Sequence, residues 1–120
     1  MSDLRASFER AVARLREALA EPATAMNRDA AIQRFEFCFE LGWKFLQKSL
    51  RFVGIECSSP RACLQAGFRQ GWLPEEPWLA MLTDRNLTSH TYDEVLAQQV
   101  YERLRLHLPA FESLLRDVPE

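Results

Sequence analysis

The sequence predicts an all-α protein, an up-and-down bundle of four helices with one additional short helix. Apolar residues recur at three- and four-residue spacing along most of the 120 residues, which is the pattern of helices with one buried face. No stretch shows the strict apolar–polar alternation of a half-buried strand. A chain of this length can bury a core of its own, so we expect a single domain over residues 1–120.

Start and stop signals delimit the first two helices. Ser2 can cap a first helix that runs to about Ala20, and Pro22 cannot continue it. Asn27 is a suitable cap for a second, long helix over residues 28 to about 53. A glycine then follows, as is common where helices end.

The second helix is apolar on more than one side, which predicts a central place in the bundle or contact with another subunit. We expect Phe35, Phe39 and Trp43 to supply aromatic contacts at the interface of a homodimer. Three charged residues at four-residue steps should form a solvated or salt-bridged row: Glu36, Glu40 and Lys44.

The remaining helices are shorter or follow loops rich in proline. Ser59 followed by Pro60 predicts the start of a short third helix that finishes by Gly71. A fourth helix should start near Pro77. The fifth is expected over residues 92 to about 115.

Thr91 and Glu94 match a capping box, which predicts that the fifth helix begins at about Tyr92. Arg85 is then expected on the last turn of the fourth helix and His90 just outside the fifth. Along one unbroken helix these two side chains would lie about 140° apart. The motif segment, which we define as residues 85–92, interrupts the helix and lets them converge.

The residue types in the motif segment suit cleavage of RNA without a metal. His90 can take a proton from a ribose 2′-hydroxyl or give one to the leaving oxygen, because imidazole titrates near neutral pH. Arg85 can hold the scissile phosphate and stabilise its developing charge. Three polar neighbours would supply supporting contacts: Asn86, Ser89 and Thr91. The alternative is that these residues tie two helix ends together and bind a partner.

Composition limits the possible functions. A formal net charge of −2 argues against a broad electrostatic grip on nucleic acid, so any contact with RNA should be local. The chain has no apolar run long enough to cross a membrane and does not begin like a secretory signal, so we expect a cytoplasmic protein.

Other side chains carry no predicted chemistry. We expect the three cysteines to be reduced thiols: Cys38, Cys57 and Cys63. His107, near a helix C-terminus, is expected at the surface. No residues have metal-ligand spacing and no glycine-rich phosphate loop occurs, so we predict neither a metal nor a cofactor.

Four stretches together resemble one protein family. Arg85, His90 and Tyr92 form the pattern Arg-x4-His-x-Tyr. The aromatic run over residues 28–44, the Ser-Pro-Arg turn at 59–61 and the Trp-Leu-Ala-Met-Leu run at 78–82 occur in the same order. The sequence is similar in these features to the HEPN superfamily, and especially to the nucleotidyltransferase substrate-binding proteins within it.

This resemblance implies a HEPN-like bundle that binds a separate minimal nucleotidyltransferase and contributes to binding its nucleotide or substrate. A second implication is a toxin–antitoxin pair. In that case the chain would be a ribonuclease using Arg85 and His90, with two copies of the motif facing each other across a homodimer. The nucleotidyltransferase would neutralise it by transferring AMP to Tyr92. A scaffold bundle without catalysis is the third possibility.

Overall fold

The structure is a computed structural model that describes residues 3–119. Within that range it contains five α-helices and one 3₁₀ turn and no strand. In chain order they are α1 (Asp3–Ala20), α2 (Ala25–Phe52), α3 (Pro60–Arg69), α4 (Glu75–Leu87), the 3₁₀ turn (Thr88–His90) and α5 (Glu94–Asp117). The predicted all-α bundle with a short extra helix is therefore confirmed.

Helix α2 lies at the centre and packs against each of the other four helices. Phe35 and Phe39 are fully buried there, and so are Phe8 from α1 and Phe111 from α5. Gly42 lets α1 approach closely, because a Cβ atom at this position would lie 3.3 Å from the ring of Phe8. Three of the aromatic residues of α2 thus lie in the core, namely Phe35, Phe39 and Phe45.

The prediction that Phe35 and Phe39 lie at a subunit interface is therefore wrong. Phe35 and Phe39 have no exposed surface, so their side chains cannot contact another subunit. Trp43 is half-buried and can still reach a partner. Phe37, which the prediction did not include, is 53% exposed on the same helix.

The predicted cap agrees with the structure at α3 and differs from it at α2. Ser59 caps α3 by accepting a hydrogen bond from a backbone N–H, and Pro60 is the first residue of that helix. Helix α2 begins earlier than predicted, because Thr24 is its cap and the backbone N–H of Asn27 donates to the threonine hydroxyl. The expected cap of α1 at Ser2 lies outside the described residues.

The predicted capping box at the start of α5 is wrong. The helix begins at Glu94, and Asp93 is the cap because its carboxylate accepts two backbone N–H groups of the first turn. Thr91 donates its hydroxyl to the backbone oxygen of Thr88 instead. Tyr92 therefore lies in the turn before α5 and not in its first turn.

The cysteines differ from the prediction of three reduced thiols. Cys57 and Cys63 form a disulfide across the loop between α2 and α3, where their Cα atoms are 5.2 Å apart, within the range that a disulfide spans. Cys38 is a free thiol buried in α2, and burial raises its pKa to about 12. It is therefore uncharged at neutral pH and unsuited to nucleophilic chemistry.

Within residues 3–119, every helix is too short or too polar to pass through a bilayer.

Candidate functional site

The motif segment joins α4 to α5 through the 3₁₀ turn, as the sequence predicted. Arg85 lies on the last turn of α4, His90 ends the 3₁₀ turn and Tyr92 follows in the irregular stretch before α5. Asn86 and Ser89 are exposed on the same segment. Arg85 and His90 lie five residues apart on this short segment, and no hydrogen bond joins them in the described part of the chain.

Arg85 is held by the central helix. Its Nη2 donates to Oε1 of Glu40 at 2.5 Å, and its guanidinium carbon lies 5.6 Å from the centre of the Phe39 ring. Nη1 also lies 3.5 Å from the side-chain oxygen of Asn86. Glu40 in turn accepts a hydrogen bond of 3.3 Å from Nε1 of Trp43. A phosphate that reached Arg85 would therefore meet a guanidinium already shared with a carboxylate.

Glu40 is a site residue that sequence reasoning missed. It was expected in a solvated row with Lys44, four residues further along α2. In the structure it binds Arg85, 45 residues away in the chain. No pattern among neighbouring residues predicts a pairing between residues so far apart in the chain.

His90 and Tyr92 present their side chains to solvent. Their ring centroids are 6.1 Å apart with an interplanar angle of 70°, an edge-to-face contact. Tyr92 is 83% exposed. Within residues 3–119 neither side chain makes a hydrogen bond, so the imidazole and the phenol are both available to an external group.

Two threonine hydroxyls fix the shape of the motif segment. Thr88 donates to the backbone oxygen of Arg85 at 2.7 Å, and Thr91 donates to the backbone oxygen of Thr88 at 3.0 Å. The oxygen of Arg85 also accepts the backbone N–H of Thr88, so the hydroxyl adds a second bond where α4 ends. Thr91 therefore has a structural role here, and its hydroxyl is engaged.

A buried polar network anchors α4 to α5 one residue before Arg85. Both oxygens of Asp84 accept hydrogen bonds from Arg103, and Oδ2 also lies 2.7 Å from Nε2 of His107. Burial by itself would raise the pKa of Asp84, but the hydrogen bonds with His107 and Arg103 outweigh it and lower that pKa below its ordinary value. The carboxylate is thus ionised at neutral pH.

The expected surface position of His107 is wrong. The residue is only 4% exposed, and its ring stacks on Phe35 with centroids 5.5 Å apart. The misprediction has a simple cause. Asp84 offers a buried partner that a pattern along α5 alone does not reveal.

A groove runs between α2 and the end of the motif segment, and we call it the α2 groove. Its volume is about 510 Å³, within the usual range of small-molecule sites. Asp29 on its wall is paired with Arg28. Its lining comprises Asp29, Ala30, Ile32, Gln33, Glu36, Thr91 and Tyr92. The side chains of Gln33 and Glu36 make no hydrogen bond within residues 3–119, so both can bind a ligand.

Between residues 3 and 119 no three His, Cys, Asp or Glu side chains come together in an arrangement that could hold a metal ion. The titratable and cationic groups of the motif segment are His90 and Arg85. The chemistry that they can perform is proton transfer and charge stabilisation.

Comparisons with known proteins agree on one family. The family described as nucleotidyltransferase substrate binding protein like matches residues 4–120. A crystal structure of a protein from Thermus thermophilus is similar with a TM-score of 0.85 and 40% identity, covering 91% of this chain and 96% of that one.

Haemophilus influenzae provides two further matches, one to a solved structure and one to a named protein sequence. One has a structure described as revealing the fold of a substrate binding domain of a nucleotidyltransferase, with a TM-score of 0.71, 28% identity, and coverage of 94% of this chain and 92% of that one. The other, named probable ribonuclease HepT, is 35% identical over 80 residues, 62% of this chain. The match spans 55% of the length of that relative. With the family match over residues 4–120, these similarities confirm the predicted family, and the chain belongs to the nucleotidyltransferase substrate-binding-like proteins.

Proposed function

We propose that this protein is the partner subunit of a separate minimal nucleotidyltransferase, to which it presents the motif segment. In this role it contributes to binding the nucleotide or substrate of that enzyme. The observation that carries the proposal is Tyr92, whose phenol is 83% exposed and makes no hydrogen bond within the described residues.

The chain contains two tyrosines, and they differ in exposure. Tyr101 is buried, with 6% of its surface exposed, and contributes to the core. Tyr92 contributes little to the core and lies beside His90, at the edge of the α2 groove. An enzyme that transfers a nucleotide to a hydroxyl group can therefore reach Tyr92 without unfolding the bundle.

The experiment combines co-purification with mass spectrometry. The protein is mixed with its cognate nucleotidyltransferase at micromolar concentration, then incubated with ATP and magnesium. We expect a stable complex and a mass increase of one AMP unit. In the transfer the oxygen of Tyr92 bonds to the α-phosphorus of ATP, pyrophosphate leaves and the phenolic proton is released.

Matched tyrosine variants identify the residue that accepts AMP. Tyr92→Phe should retain the complex and lose the mass increase, whereas Tyr101→Phe should keep both. Absence of a complex would contradict the proposed partner. A complex with unmodified Tyr92 would contradict the tyrosine as acceptor and leave an adaptor role.

A second candidate is a metal-independent ribonuclease, supported by the similarity to a protein named probable ribonuclease HepT. The imidazole of His90 would take the proton of a ribose 2′-hydroxyl while the 2′-oxygen attacks phosphorus. The 5′-oxygen would leave and take up a proton, producing a 2′,3′-cyclic phosphate. Arg85 would stabilise the charge on the phosphate oxygens.

In this second candidate the chain forms a homodimer with two copies of the motif segment facing each other. AMP on Tyr92 would place a phosphate beside His90 and Arg85 and block RNA by competition. The test is an RNA-cleavage assay in EDTA with the free protein and with protein carrying AMP. Cleavage only before AMP transfer supports the candidate, and no cleavage by the free protein contradicts it.

A further inference from the structure

We infer that the α2 groove is a base subsite for a nucleotide whose phosphate lies at Arg85 and His90, and that it selects a base with an exocyclic amino group over uracil. The inference rests on the proposed function, because it concerns the nucleotide that this surface would bind. It adds the chemical class of that nucleotide and the residues that recognise it.

The position of the groove fits a nucleotide. Glu36 lines the groove, and Glu40, four residues later on α2, binds Arg85. Four residues are about one helical turn, or roughly 5.4 Å along the axis. The groove and the guanidinium are thus offset along α2 by a step similar in size to that between the phosphate and the base of one nucleotide.

An aromatic face is available at the edge of this groove. The ring of Tyr92 lines the groove and is mostly exposed, and it touches His90 only edge to face. Bases stack on exposed aromatic rings of this kind in many proteins that bind single-stranded nucleic acid. Stacking here does not distinguish one base from another, so selectivity must come from the polar wall.

The polar wall of the groove favours hydrogen-bond donors. The ionised carboxylate of Glu36 only accepts hydrogen bonds, whereas the amide of Gln33, one turn earlier on the same helix, both donates and accepts. Adenine, cytosine and guanine each present an exocyclic amino group that can donate to the carboxylate of Glu36. Uracil has a single N3–H donor flanked by two carbonyl oxygens, and these oxygens would face the carboxylate with like partial charge.

Charge also sets the direction of the nucleotide. Asp29 and Glu36 make the groove negative and disfavour a phosphate inside it. Arg85 and His90 lie outside the groove on the motif segment, where a phosphate can accept hydrogen bonds. The base is therefore expected in the groove and the phosphate outside it, at Arg85 and His90.

The experiment measures binding of 5′-AMP, 5′-CMP, 5′-GMP and 5′-UMP to the full chain by titration calorimetry. We expect each amino-bearing nucleotide to bind at least about tenfold tighter than UMP, as one well-placed polar contact can provide. Glu36→Ala should bring the ratio of AMP to UMP affinity close to one. Tyr92→Leu should weaken all nucleotides alike.

Control variants separate base recognition from general effects. Glu102→Ala and Gln99→Ala change exposed residues of the same types on α5, away from the α2 groove, and should leave the ratio unchanged. Inorganic phosphate should bind Glu36→Ala at least as well as the unmodified chain. Equal affinity for AMP and UMP in the unmodified chain would overturn the inference.

Two further arms identify the source of the ligand. If ApA binds more tightly than UpU and both dinucleotides bind more tightly than the corresponding mononucleotides, the subsite serves RNA. If AMP binds as tightly as ApA, the subsite serves a free or tyrosine-linked nucleotide. Binding of arginine amide in place of any nucleotide, lost in Glu36→Ala, would overturn the inference in favour of a basic protein partner. A complex with the nucleotidyltransferase and modified Tyr92, without base preference, would overturn the base subsite alone.

Discussion

Consecutive residues of α4 take part in two carboxylate–arginine pairs whose carboxylates differ in burial, whereas their arginines, Arg103 and Arg85, are exposed to a similar extent, 41% and 33%. Asp84 points inward, its side chain is 3% exposed, and both of its oxygens bind Arg103. Arg85 is directed to the surface, where its side chain and that of Glu40 are 33% and 38% exposed. The inner pair fixes the end of α4. The outer pair can exchange its partner for a ligand.

The two histidines repeat the contrast. His107 is buried, stacked on Phe35 and bonded to Asp84, so its ring is committed to the fold. His90 is exposed and touches only the edge of Tyr92. A histidine that exchanges protons with a substrate needs access more than it needs internal partners. By this criterion His90, and not His107, is the candidate acid–base group.

The largest expected effect comes from breaking the inner network. Asp84→Ala should lower the free energy of unfolding by about 1–3 kcal/mol, because it leaves the buried His107 without its hydrogen-bond partner. Glu40→Ala should cost no more than about 1 kcal/mol, since the outer pair is partly solvated. Urea denaturation of both variants measures the difference. Equal losses would contradict the distinction between an inner structural pair and an outer exchangeable one.

Acid should remove the contribution of the inner network. The folded-state pKa of Asp84 lies below its unfolded value, so the stabilisation is fully present above the unfolded pKa and is lost as pH falls through the folded one. The unfolded value of an aspartate is about 3.9. The stability difference between the unmodified protein and Asp84→Asn should therefore shrink below about pH 4. A difference that grows in acid would contradict this account.

The helices were predictable because their signals are local. Apolar spacing along α1 and α5, and the serine–proline start of α3, depend on residues within a few positions of one another. Caps were less certain where two candidates lie close together. Thr24 displaced Asn27 and Asp93 displaced Thr91, because each of these neighbours also offers an oxygen at about the right place.

The pairings across helices were not predictable in this way. Glu40 meets Arg85 and Asp84 meets His107 only after the bundle has formed, at separations of 45 and 23 residues. The burial of Phe39 also depends on contacts between helices. The sequence left open whether aromatic residues on several faces of α2 meant a central helix or a subunit interface, and only the packed bundle decides that Phe39 is buried.

The next effect in size concerns catalysis in the outer region. If the chain cleaves RNA, Arg85→Ala and His90→Ala should each reduce the rate on the order of 10²-fold or more, because one removes charge stabilisation and the other proton transfer. Neither should lower the free energy of unfolding by more than about 1 kcal/mol, because both side chains are at least partly exposed. A fluorogenic RNA assay in EDTA and urea denaturation test the two statements together.

Arg69→Ala is the matched control for charge, since Arg69 is an exposed arginine on α3, outside the motif segment. It should leave cleavage unchanged. A similar loss in Arg69→Ala would show that the assay reports overall charge and not the motif segment. Loss of folding in Arg85→Ala would instead show that the fold requires Arg85.

The smallest expected effect is also the most informative about Arg85. Glu40→Gln keeps the size of the side chain and removes its charge, so the stability should change by no more than about 1 kcal/mol. With the competing anion gone, the guanidinium should bind inorganic phosphate several-fold more tightly, as phosphate titrations at low salt would detect. Weaker binding in Glu40→Gln would mean that Glu40 orients the guanidinium for its ligand. The outer pair would then be a preorganised site and not an exchangeable one.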